Sequence, residues 1–147
     1  MNAMLHQVDM ATPLVSRLLL VMLFPLSAFD KLVHWRFAVR QASGRLARLG
    51  QALVALGIAF ELAGFACILV GWHQQLAAFA LAGFCLVTAF AYHPFWMETG
   101  YWTEDGGRAR IELWEFLKDL SVAGGLLLYA TMTASMPLSA MLGATMR

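Results

Sequence analysis

The chain has 147 residues and a formal net charge of +1, with 61% of its residues hydrophobic and 13% charged. Soluble domains are nearer half apolar and a quarter charged, so this composition predicts a single-domain integral membrane protein whose first partner is the lipid bilayer. No strongly basic block or Lys/Arg stripe appears, which argues against a nucleic-acid partner.

The N-terminal stretch MNAMLHQVDMATP lacks the basic start of a secretory signal, so the first apolar segment is expected to stay in the mature protein. After a tail over 1–12, four apolar spans are predicted at about 13–31, 49–72, 75–92 and 113–135, followed by a tail over 136–147. Pro13 suits a helix start, Pro25 predicts a kink inside the first span, and Pro137 breaks the last one. The first connection, VHWRFAVRQASGRLARLG, alternates Trp35, Phe37 and Val39 with basic residues and reads as a segment lying at the membrane surface.

The second span, LGQALVALGIAFELAGFACILVGW, carries Gly57, Gly64 and Gly71 every seven residues. They fall along one helical face, suited equally to packing within the bundle and to a homo-oligomer contact. GWHQQ then turns the second span tightly into the third. The last connection, HPFWMETGYWTEDGGRARIE, is longer than a compact bundle needs and reads as functional. The predicted fold is all-α, an integral membrane four-helix bundle.

Lys31, Arg36, Arg40, Arg45 and Arg48 in the first connection, with Arg108 and Arg110 in the third, put both connections in the cytoplasm and both termini outside. Trp35, Trp96, Trp102 and Trp114 then gather at the basic side and Trp72 at the other, as aromatic belts do.

Within this frame Glu61 lies roughly 20 Å from the basic face, and Arg17 enters from the opposite face by about one turn. An Arg17–Glu61 ion pair is therefore predicted as a structural contact. A second group forms near the basic face: Asp30, Lys31, His93 and Trp96, with Lys118 and Asp119 roughly 8 Å deep. Two readings of it stand. One is a salt-bridge clasp with Asp30–Lys118 and Lys31–Asp119 pairs, Glu115 sharing a helix face with Lys118. The other is a polar pocket in which His93 carries protons, as histidine is suited to do at pH 7.

No pair of histidines has metal or haem spacing on one helix, and no hydrolase, phosphate-loop or dinucleotide motif is present, so no metal is expected. Cys67 and Cys85 read as small buried hydrophobes.

Taken in order, RLLLVMLFPLSAFDKL, ELAGFACILVGW, HPFW and FLKDLSVAGGLLLYA resemble the DoxX family of small four-span membrane proteins, over about residues 17–130. The resemblance implies an inner-membrane bundle and marks Arg17, Lys31, Glu61, His93, Lys118 and Asp119. Pro25 departs from the small residue usual there, and TEDGGRAR lengthens the last connection. Members serve as membrane subunits of quinone-linked oxidoreductases, with quinone as the candidate cofactor. Relatives act as maturation factors or chaperones, so a non-enzymatic scaffold for a partner protein is the alternative. A carrier for a small solute or proton is the weakest reading, because four short helices leave little room for alternating access.

Overall fold

The computed structural model describes residues 15–43, 49–98 and 107–134. Both predicted tails, Pro13, Arg45, Arg48, Trp102, the break near Pro137 and the first half of TEDGGRAR lie outside these residues. Every described element is helical. The chain divides into two compact units, Met1–Ala77 and Ala78–Arg147.

The first unit opens with α1, Val15–Val33. Pro25 has no N–H to offer the carbonyl of Val21, and its ring crowds that carbonyl. The helix accordingly loosens into a turn at Met22 before continuing as Leu23–Val33, which is the irregularity that the proline predicts. At His34 the chain bends by 97° into α2, Trp35–Ser43. The connection that reads as a surface segment is thus a short helix. Its inner face, Trp35, Ala38, Val39 and Ala42, repeats at helical spacing and packs on Ala28, Val54 and Ile58. Trp35 belongs to this core cluster, where the sequence pattern placed it in an interfacial belt.

Helix α3, Gly50–Val70, is the element on which both α1 and α2 pack. Its buried positions, Gly50, Val54, Ile58, Glu61 and Ile68, recur at intervals of three, four and seven. A Cβ on Gly50 would meet the hydroxyl of Ser43 and come within 3.0 Å of the Val39 carbonyl. Only glycine lets the end of α2 approach the start of α3 so closely. Gly71 closes α3 in the left-handed conformation, at φ +79°, with its N–H bonded to the Ile68 carbonyl. His73 follows with a positive φ, and α4, Gln74–Tyr92, begins after this three-residue turn.

The second unit holds α4 from Ala78 onward, a single 3₁₀ turn at Phe95–Met97, and α5, Gly107–Ala134. Helix α5 starts at Gly107, ahead of the apolar span expected from about 113. Its first half carries Glu112, Glu115, Lys118 and Asp119, and its second half is apolar.

Among the described residues, Gly50–Val70 and Gln74–Met97 are long and apolar enough to cross a bilayer, and α1 with α2 makes a third if the bent pair counts as one span. At 1.5 Å per residue a 21-residue helix covers about 31 Å, the thickness of a hydrocarbon core. Leu19, Phe29, Leu56, Leu76 and Val87 are each about two-thirds exposed, an outward apolar surface that suits lipid and not water.

Candidate functional site

Two polar constellations stand out, one in each unit. In the first, Glu61 is sealed among apolar side chains, and its Oε1 accepts a hydrogen bond from Lys31 Nζ at 2.6 Å. Ser27 Oγ lies 3.2 Å from the same oxygen and accepts from Lys31 Nζ at 2.8 Å. Ser27 and Lys31 stand one helical turn apart on α1, so the two side chains present one edge to Glu61 on α3. In this triad one ammonium serves both a carboxylate and a hydroxyl.

The structure puts Lys31 on Glu61, the acid that the sequence pairs with Arg17. The reason is side-chain direction. Side chains on a helix lean toward its N-terminus. On α1 this tips Lys31 back from the helix end into the interior, and a lysine stem spans about 6 Å, or four residues of helical rise. Asp30, next to Lys31, faces outward and pairs with His34 Nδ1 at 2.9 Å.

In the second unit His93 follows the last turn of α4, its N–H bonded to the Ala89 carbonyl. Its ring Nδ1 lies 2.8 Å from Glu112 Oε2 on α5, and both side chains are largely buried. Arg108 bridges Glu112, at 3.4 Å, and Glu98, at 3.6 Å. Deeper along α5, Asp119 Oδ2 accepts a hydrogen bond from Thr88 Oγ1 on α4 at 3.3 Å. The charged neighbours of Asp119 are His93, Glu115 and Lys118. Lys118 itself forms an exposed bridge to Glu115 at 2.6 Å, so the shared helix face is used.

Beside these groups, Phe90, Phe95, Trp96 and Phe116 interlock, with centroid separations of 5.2 to 6.2 Å and mostly edge-on contacts. Phe95 lies two residues after His93, and Phe116 lies one turn beyond Glu112, so the aromatic cluster and the His–Glu pair occupy the same ends of α4 and α5. Trp96 remains 53% exposed.

Of the sequence-predicted pocket, His93, Trp96, Lys118 and Asp119 therefore fall in this unit, whereas Asp30 and Lys31 have partners within their own. Glu112, Thr88 and Arg108 were not foreseen. The one available signal was the spacing of Arg108, Glu112 and Phe116 at successive turns, which puts all three on one face of α5. Cys67 and Cys85 form no disulfide and are half-buried and buried. Among the described residues no three His, Cys, Asp or Glu side chains converge as a metal site.

Helices of bilayer length, an apolar outer surface and a buried carboxylate paired between two of the helices define an all-α membrane protein. The chain belongs to the DoxX family, whose model matches residues 12–94. That stretch takes in α1 to α4 and stops before α5. No curated protein and no solved structure matches the chain.

Proposed function

We propose that this chain is a quinone-binding membrane subunit of a redox enzyme system, working in a bacterial inner membrane. The observation that supports this reading is the His93–Glu112 pair beside an aromatic cluster. Glu112 takes the Nδ1 side of the imidazole and so fixes which ring nitrogen faces outward. Nε2 is left to hydrogen-bond a ligand oxygen. Trp96 and Phe116 offer flat apolar surface for a quinone ring, and a lipid-soluble ligand reaches it from the bilayer. In this arrangement His93 passes protons to or from the quinone oxygen, Glu112 balances the charge on the imidazole, and the partner enzyme supplies the electrons. Lys118 and Asp119 set the charge around the site.

Calorimetric titration of the detergent-purified protein with a short-chain quinone tests this reading. Saturable binding, weakened at least tenfold by His93→Ala and by Trp96→Leu, is expected. Binding untouched by His93→Ala and Lys118→Ala together overturns it.

A second reading rests on the exposure of Trp96 and Met97 at the 3₁₀ turn. There the protein is a non-enzymatic scaffold or maturation factor that docks a partner through the 97–112 connection, part of which lies outside the described residues. Recovery of a stoichiometric partner that is lost on Trp96→Ala, together with no quinone binding, favours it.

A further inference from the structure

We propose that α2 is a binding site for the headgroup of an anionic phospholipid, with Arg36 and Arg40 holding the phosphate. This inference is independent of the quinone reading, since it concerns the first unit alone.

The bend supplies the orientation. If α1 runs across the bilayer, a helix turned from it by 97° lies in the membrane plane. Its inner face is committed to the core through Trp35, Ala38, Val39 and Ala42. The remaining arc holds Arg36, Phe37, Arg40 and Gln41, all exposed. Arg36 and Arg40 are one turn apart, so their side chains rise side by side, about 5–6 Å between Cβ atoms. Arg40 Nε donates to the Arg36 carbonyl at 3.1 Å, which steadies its guanidinium while the terminal nitrogens stay available.

Among the described residues no carboxylate pairs with either arginine. Residues 35–43 contain no acid. Asp30, the acid nearest along α1, is held by His34, and Glu61 is held by Lys31. Two planar forks with spare donors match the oxygens of one phosphodiester. Around them Phe37, at 64% exposure, with Leu32 and Val33 at the end of α1, offers apolar surface for the glyceryl and acyl portions. A free phosphate would use the arginines and leave that apolar rim unused; a lipid uses both.

The test is thermal unfolding of the detergent-purified full chain, with native mass spectrometry of the lipids retained. Phosphatidylglycerol is expected to raise the midpoint by several degrees and to remain bound, with phosphatidylcholine and inorganic phosphate doing neither. Arg36→Gln with Arg40→Gln should weaken phosphatidylglycerol binding about thirtyfold, since each arginine near an anionic lipid contributes about a factor of five. The unloaded midpoint should hold, because both side chains are exposed. Arg108→Gln, an exposed arginine in the other unit, should leave the lipid effect intact. An equal response to phosphatidylcholine or to inorganic phosphate overturns the proposal. So does an undiminished lipid effect in the double variant, or its loss in Arg108→Gln.

Discussion

The two units handle charge in opposite ways. In the first, one carboxylate is buried and meets a lysine and a serine, and among the described residues Asp30, Arg36 and Arg40 sit outside on the end of α1 and on α2. In the second, a histidine, three glutamates, an aspartate, an arginine and a lysine spread over the ends of α4 and α5 in a graded network, from largely buried to fully exposed. A triad of this kind, between a buried acid and two side chains one turn apart, fixes two helices in register. A graded network keeps donors and acceptors within reach of a ligand, which is why the proposed quinone site is assigned to the second unit.

The sharpest way to break this contrast is to remove one member of the sealed pair. Lys31→Met leaves a carboxylate buried without its cation, which should destabilise the protein by about 3–5 kcal/mol and be read as a large drop in thermal midpoint in detergent. Replacing both members, Lys31→Met with Glu61→Leu, should recover most of that loss, because a buried ion pair is often no better than an apolar pair of similar volume. If the double variant is as unstable as the single one, the pair has a role beyond charge neutralisation. If Arg17→Met does the damage and Lys31→Met does not, Glu61 depends on the other end of α1.

A steric change in the same unit ranks next. Gly50→Ala drives a methyl group into Ser43 and toward the Val39 carbonyl, and should destabilise by about 1–3 kcal/mol as overpacking does. Ser43→Gly in the same chain removes the flexible obstacle but not the backbone one, so it should restore only part of the midpoint. Full rescue would mean that the α2–α3 approach is looser than the structure places it.

The contrast also separates what the sequence makes legible from what it does not. The apolar runs, the break near Pro25, the turn at Gly71 and the central place of α3 are local consequences of composition and helical period, and each is visible in a single stretch. The partner of Glu61 is not, because it depends on how far along α3 the end of α1 reaches and on the backward lean of a lysine side chain. Counting residues from a membrane face treats each side chain as a point at its own Cα, and Lys31 violates that by a full turn of helix. An aromatic at an interface and an aromatic on the inner face of an interfacial helix share one sequence signature. The His93–Glu112 contact joins two helices across a connection whose path the sequence leaves open. The start of α5 at Gly107 lay inside what reads as a polar loop.

The second unit should answer to smaller changes, and here stability and function ought to part company. Glu112→Gln keeps the size of the side chain and an acceptor oxygen for His93 while removing the charge, so the loss in stability should be about 1.5–3 kcal/mol, the range of a hydrogen bond to a charged group. Arg108→Ala, which breaks only exposed bridges, should lie within about 1 kcal/mol of the parent. If the network is a ligand site, Glu112→Gln should weaken quinone binding by more than its stability loss explains, because the imidazole loses the carboxylate that balances its charge. Arg108→Ala should leave binding nearly unchanged, since the guanidinium touches Glu112 from the exposed side. Were both variants to shift binding and midpoint in parallel, the His93–Glu112 pair would be a clasp like that of Lys31 and Glu61, and the two units would differ in the depth of their charges and not in their purpose.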